Sequence, residues 1–124
     1  MKQPLILFLY ENIFPGSQLL NRLQDLGYAV RVLSDPGLLV QEAARVTPLL
    51  VLADLAPHEN EVLSAIAELN KNSPTSHLPI IAIVKAQATD LQEKARGTGA
   101  TLVVTDQAIL PHLKEFLEQA LQVD

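Results

Sequence analysis

Five short stretches of the chain are almost entirely apolar, and each is followed by a longer stretch in which apolar residues recur at helical spacing. Strands that are apolar on both faces are typical of a parallel sheet covered by helices on each side, whereas antiparallel strands alternate more. The pattern therefore predicts an α/β fold of order (βα)5, with three layers built around a doubly wound parallel sheet of five strands. The predicted strands are Pro4–Tyr10, Ala29–Leu33, Leu49–Ala53, Pro79–Val84 and Thr101–Thr105.

The helical stretches carry start and stop signals. The first helix is predicted to end at Gly27, because glycine readily takes the positive φ of a helix end. The second opens at Ser34–Pro36, where a capping side chain precedes a proline in the first turn. The fourth stops around Gly97, and 70–76 is predicted to be a surface loop that closes the third. The apolar positions of the five helices are Leu19, Leu20, Leu23 and Leu26; Val40, Ala43 and Ala44; Val62, Leu63, Ile66 and Leu69; Leu91 and Ala95; and Leu113, Phe116, Leu117, Ala120 and Leu121.

Composition narrows the class of protein. A length of 124 residues fits one domain, so we expect 1–124 to fold as a unit. A net charge of -5 with scattered acidic residues argues against a nucleic-acid or membrane surface, which needs grouped basic residues. The absence of cysteine excludes disulfides and thiolate zinc sites, and the apolar run at 5–9 is too short for a signal peptide or a membrane span. We expect a cytoplasmic protein with a protein partner.

Candidate chemistry is sparse. No serine nucleophile pattern is visible, and none of the three histidines, His58, His77 and His112, has a second ligand at metal spacing. They are interpreted as surface residues. Gly16 and Ser17 lack the repeated glycines and lysine of a phosphate loop, so they indicate a helix start and no nucleotide.

Functional residues of a doubly wound sheet lie beyond the carboxyl ends of its strands. The third predicted strand lies in the segment 48–55 and is followed by Asp54. The segments 27–30, 77–82 and 99–100 match, in the same register, the entries to the second, fourth and fifth strands of one protein family. Together these segments resemble the CheY-like receiver domain of response regulators over nearly the whole chain. The resemblance implies a flavodoxin-like sheet of order 2-1-3-4-5, and it makes Asp54 the position that accepts a phosphoryl group in that family.

The chain departs from the family at the other positions of the site. Where receivers carry two acidic residues that bind magnesium, this chain has Tyr10 and Glu11. Val84 replaces a Thr or Ser, and Asp106 and Gln107 replace a Lys and the proline after it. Because phosphoryl transfer depends on cations that neutralise developing charge, exchanging Lys for Asp removes an attraction and adds a repulsion. The resemblance is thus to an atypical receiver, or pseudo-receiver.

The remaining carboxylates leave two interpretations open. Glu11, Asp54 and Asp106 are expected to form a cluster, and oxygen ligands of this kind suit Mg²⁺ or Ca²⁺, with Glu11 and Asp54 as the candidate ligands. The alternative is a disused site relieved by solvent or by a raised carboxylate pKa, so that no cofactor is required. Lys85 is either a replacement positive charge or a solvated loop residue, and Tyr10 is expected to fill space by packing.

Three classes of function follow. The first is a non-enzymatic protein-interaction module of two-component signal transduction that works without phosphorylation, with a histidine kinase, a downstream signalling protein or a second copy as partner. Since the last predicted helix reaches the end of the chain, output is expected to pass through such a partner. The resemblance implies an interaction face on helix 4, strand 5 and helix 5, including Lys94, Val103 and Lys114. The second is a phosphoacceptor receiver that is phosphorylated on Asp54 with a divalent metal. The third, an unrelated α/β enzyme or ligand-binding domain, stays open because fold alone does not set function.

Overall fold

The computed structural model describes residues 3–11 and 13–122, and at 13–15 the backbone alone. Five parallel strands form one sheet in the order β2-β1-β3-β4-β5. This confirms the predicted fold class and the strand order. The strands are β1 (Leu5–Leu9), β2 (Ala29–Leu33), β3 (Leu50–Asp54), β4 (Ile80–Val84) and β5 (Leu102–Thr105).

The helices lie between the strands, as the apolar spacing predicts. They are α1 (Ile13–Asp25), α2 (Leu39–Val46), α3 (Glu59–Lys71), α4 (Thr89–Gly97), α5 (Asp106–Ile109) and α6 (Leu113–Leu121). Gly27 follows the end of α1 with a φ of 95°, the left-handed conformation that a helix stop requires. Asp35 does cap, since its Oδ1 accepts the Gly37 amide at 2.8 Å, but the turn it opens is a short 3-10 helix (Pro36–Leu38) that leads into α2.

Two features differ from the prediction. The short helix α5 was missed, and the predicted fifth helix is α6. Thr105 starts α5, because its hydroxyl oxygen accepts the Ala108 amide at 3.2 Å. The predicted loop at 70–76 begins later, since α3 continues through Lys71. The Asn70 side chain donates to the carbonyl oxygen of Thr98 at 2.7 Å and so joins α3 to the end of α4.

The two faces of the sheet bury separate cores, because successive side chains of a strand point in opposite directions. Helices α2, α3 and α4 cover one face, and α1, α5 and α6 cover the other. The first core takes Leu7, Leu9, Val51, Ala53, Ile80, Ala82 and Val84 from the strands. The second takes Ile6, Phe8, Leu50, Leu52, Ile81, Ile83 and Val104. Every residue of β3 and β4 is buried, which fixes these two strands as the centre of the molecule.

The parallel registers bring the ends of the strands to one edge of the sheet. Asp54 at the end of β3 lies opposite Ile83, and Val84 at the end of β4 lies opposite Thr105. Tyr10 extends β1, because its amide donates to the Leu33 carbonyl at 2.9 Å. Within the described ranges, no helix is long and apolar enough to cross a membrane.

Candidate functional site

Asp54 is the most deeply placed carboxylate at this edge. Its residue surface is only 8% exposed, and its Oδ1 accepts the Ala56 amide at 3.3 Å. Burial raises the pKa of Asp54 to about 6, and repulsion from Asp106 and Glu59 acts in the same direction. The Ala56 hydrogen bond and the positive charge of Lys85 oppose that rise in pKa. The site therefore holds a carboxylate that is costly to ionise.

Asp106 has a structural partner of its own. Its Oδ1 accepts the Ala86 amide at 3.2 Å, which ties the start of α5 to the loop after β4. The same loop is held from α4, where the Gln92 side chain donates to the carbonyl oxygens of Lys85 and Ala86 at 3.4 and 3.3 Å. Asp106 thus holds this loop in place through a hydrogen bond, and its negative charge disfavours ionisation of Asp54.

Tyr10 is packed, as its position after β1 led us to expect. Its ring lies 4.5 Å from the ring of Phe8, centroid to centroid, on the face of the sheet covered by α1 and α6. A Cβ atom at Gly16 would lie 2.2 Å from Cδ2 of the Tyr10 ring, closer than any two such atoms can approach. Gly16 therefore lets α1 pass directly against the ring, a role that sequence reasoning did not assign to it.

Glu11 contacts His58, the residue directly before α3. Its Oε2 lies 2.6 Å from Nε2 of His58, and the other ring nitrogen of His58 lies 3.3 Å from Oε2 of Glu61. The prediction of a cluster of three carboxylates is therefore wrong, because Glu11 is drawn to the imidazole instead. Among the described residues, no three His, Cys, Asp or Glu side chains are grouped so that they would hold a metal ion. The histidine interaction was missed, although the i, i+3 spacing of His58 and Glu61 was a signal for it.

As placed in this structure, the described side chains are not arranged to hold the magnesium ion that the resemblance implies. Tyr10 brings a packed ring where a second carboxylate is needed, and Glu11 is engaged by His58. Asp54 remains, with one oxygen bound to the Ala56 amide. Hard divalent cations need several oxygen ligands at once, and this arrangement does not present them.

The other predicted positions take ordinary places in the fold. Val84 is 2% exposed and belongs to the core under α3 and α4, so it presents no polar group to the site. Gln107 is exposed in α5. Lys85 is exposed, yet its charge reaches Asp54 and favours the ionised form.

The three residues predicted to share an interaction face lie on α4, β5 and α6. Lys94 is exposed on α4, and Val103 packs against the core on the same face of the sheet. Lys114 lies on the flank of α6 near the end of α1, where it lines a cavity of about 110 Å³ with Leu26 and Tyr28. Because β5 is the edge strand and α4 and α6 cover the two faces of the sheet beside it, the predicted interaction face stays a prediction.

A larger cleft of about 650 Å³ opens between the 3-10 turn and α3. His58 and four acidic residues line it, together with small and apolar side chains. The acidic residues are Glu11, Asp35, Glu61 and Glu68. Three of these already have partners, since Glu11 and Glu61 contact His58 and Asp35 caps the 3-10 turn.

No family model and none of the curated proteins matches the chain. Solved structures do match it. The receiver domain of a sensor histidine kinase from Pseudomonas aeruginosa, solved with magnesium in its active-site cleft, superposes with a TM-score of 0.86 at 21% identity, over 99% of this chain and 100% of that one. Chemotaxis protein CheY4 of Vibrio cholerae gives a TM-score of 0.82 at 16% identity, over 95% and 98% of the two chains.

The signal receiver domain of a modulated diguanylate cyclase from Desulfovibrio desulfuricans gives a TM-score of 0.80 at 21% identity, over 97% and 94% of the chains. These neighbours are CheY-like receiver domains, and the similarity extends over almost the whole of each chain. The predicted resemblance is thereby confirmed at the level of the fold.

Proposed function

We propose that residues 1–124 form a single receiver-type domain that acts in two-component signal transduction as a protein-interaction module, without catalysis and without phosphorylation. The observation that carries this proposal is the placement of Asp106. Its carboxylate occupies the position where the resemblance calls for a lysine, and its repulsion adds to the burial that raises the pKa of Asp54. A phosphoryl group on Asp54 would add negative charge beside a negative residue that is already fastened to the Ala86 amide.

The remaining parts of the site support the same proposal. A receiver responds to phosphorylation through a hydroxyl after the fourth strand, according to the resemblance, and Val84 is a buried apolar residue there. No cation is required for this function, since Glu11 already has His58 as partner. We place the protein in the cytoplasm, with no role for nucleic acid or membrane.

The test is a reaction of the purified chain with a small phosphodonor and Mg²⁺, followed by intact-mass measurement. We expect no increment of a phosphoryl group on the wild type. A triple variant, Tyr10→Asp, Val84→Thr and Asp106→Lys, restores the residue types that the resemblance calls for and is the positive control. A stable increment on the wild type that is lost in Asp54→Asn would overturn the proposal.

The second candidate is a phosphoacceptor domain that takes a phosphoryl group on Asp54 with Mg²⁺. The observation in its favour is that Asp54 keeps its place at the end of β3, and the similar receiver from P. aeruginosa holds magnesium in its cleft. The mass measurement above distinguishes the two candidates, because only this one predicts an increment on the wild type.

The interaction face that we propose consists of α4, β5 and α6. Six of the nine residues of α4 are exposed, so this helix offers surface to a partner. Lys94, Val103 and Lys114 mark this face, and Lys71, exposed at the end of α3, provides a matched control outside it. Lys94→Glu and Lys114→Glu are each expected to weaken self-association or binding of a purified histidine kinase or downstream protein, measured by sedimentation, while Lys71→Glu leaves it unchanged. Weakened binding in Lys71→Glu alone would overturn this placement.

A further inference from the structure

We infer that His58 competes with divalent cations for Glu11, and that the Glu11, His58 and Glu61 side chains form a strap that keeps the pocket beside Asp54 closed. This inference does not depend on whether Asp54 is phosphorylated. The imidazole of His58 contacts the Glu11 carboxylate, and this contact must break before a cation can bind that oxygen.

The strap connects two elements that flank Asp54. Glu11 lies in the connection after β1, and His58 comes directly before α3, in whose first turn Glu61 lies. Each nitrogen of the imidazole faces one carboxylate, at 2.6 Å to Glu11 and 3.3 Å to Glu61. The chain thereby joins its first loop to the start of α3 above the end of β3.

The space behind the strap is too small for a hydrated ion. Asp54, Tyr10, Glu11 and His58 are among the residues that line a cavity of about 10 Å³ there. A cavity of that size holds about one water molecule. Magnesium and similar ions lose their waters reluctantly and keep several of them when bound. Entry of such an ion next to Asp54 therefore requires that lining side chains move, and His58, which contacts Glu11, is one of them.

Competition for Glu11 follows from the chemistry of its carboxylate. The oxygen that lies 2.6 Å from His58 has to leave the imidazole before it can ligate an ion near Asp54. The side chains of Glu11 and His58 are 45% and 44% exposed, so the strap is a partly solvated contact of modest strength. Removing the imidazole should therefore raise cation affinity by a small factor, about threefold, in line with exposed ion pairs.

The experiment uses Mn²⁺ as the probe and the full chain. Paramagnetic broadening of backbone amide signals gives both the dissociation constant and the location of the ion. We expect His58→Ala to bind Mn²⁺ about threefold more tightly than the wild type, with the Ala56 amide broadened. Adding Glu11→Gln should remove the gain. His112→Ala is the matched control, because His112 also faces a glutamate three residues later, Glu115, but at 3.9 Å and on α6.

Three results would overturn the inference. One is an unchanged Mn²⁺ affinity in His58→Ala and in the milder His58→Gln. Another is a gain that survives Glu11→Gln, and the third is broadening centred on Glu68 in the larger cleft instead of Ala56. Phosphorylation of the wild type would refute the proposed function and leave this inference untouched, so the two fail separately.

Discussion

The ring of Tyr10 lies so close to Gly16 that a Cβ atom at position 16 would meet Cδ2 and Cε2 of the ring at 2.2 and 2.4 Å. The Tyr10 ring can therefore occupy this place only because residue 16 has no side chain. The resemblance gives position 10 to an acidic residue, and the aromatic ring here takes its support from Phe8 on one side and α1 on the other.

Gly16→Ala is expected to destabilise the protein, although alanine normally stabilises a helix interior by about 0.5–1 kcal/mol relative to glycine. The added methyl group must displace the Tyr10 ring, and overpacking of this kind costs about 1–3 kcal/mol. Urea denaturation measures the loss. Gly97→Ala in α4 is the control, because nothing lies within 4 Å of its Cβ position. If Tyr10→Ala failed to relieve the effect of Gly16→Ala, the contact would not be its cause.

Asp54→Asn is expected to stabilise the fold at pH 7.5 and to have little effect near pH 4. Burial raises the pKa of Asp54 from 3.8 to about 6, so the folded state binds this proton more tightly than the unfolded chain. Stability from this group is therefore lost as pH rises through that window, with a total cost of about 2–3 kcal/mol above it.

The measurement for Asp54→Asn is the difference in free energy of unfolding between variant and wild type at several pH values. Asp90→Asn, at an exposed position of α4, serves as the control. A difference that stays constant from pH 4 to pH 7.5 would contradict the assigned shift.

Asp106→Asn is expected to lower the pKa of Asp54 while keeping the loop after β4 in place. The asparagine carbonyl oxygen still accepts the Ala86 amide, but the repulsive charge is gone. Asp106→Ala removes both the repulsive charge and the acceptor of the Ala86 amide, so it should also speed hydrogen exchange at that amide. Carbon NMR of the Asp54 carboxyl group follows the pKa. Equal exchange rates in the two variants would show that the hydrogen bond does not hold the loop.

Asn70→Ala is expected to cost about 1 kcal/mol, since its side chain donates to Thr98 at 2.7 Å and links α3 to α4. Gly99→Ala should cost more, because Gly99 has a φ of 92° and its Cβ position lies 2.5 Å from Nδ2 of Asn70. Thermal unfolding compares both with Asn21→Ala, a change at an exposed position of α1. Equal stability of Asn70→Ala and Asn21→Ala would exclude the link.

The sheet and the main helices could be predicted from the sequence because each rests on local apolar spacing. Leu19 and Leu23, for example, are both fully buried, as their helical spacing indicates. The placement of Asp54 followed from the same pattern, since a polar residue that ends an apolar strand must lie at the edge of the sheet.

The contacts within the site could not be predicted in this way. The contact of Glu11 with His58 depends on distances between loops, and sequence spacing does not encode those distances. The cavity that Lys114 lines with Leu26 and Tyr28 depends on how α6 is rotated on the sheet, which the sequence pattern does not specify. Four residues are too few for a clear periodic signal, which is why α5 was missed.

The hydrogen bond from the Ala86 amide to Asp106 restricts how this domain could be converted into a phosphate-responsive switch. Introducing a lysine at position 106 supplies the wanted charge but deletes the acceptor that holds the neighbouring loop. Single replacements are thus expected to look like failures even if the complete set succeeds, because each alters a contact on which another depends. Redesign of this site is a matter of exchanging interdependent residues together.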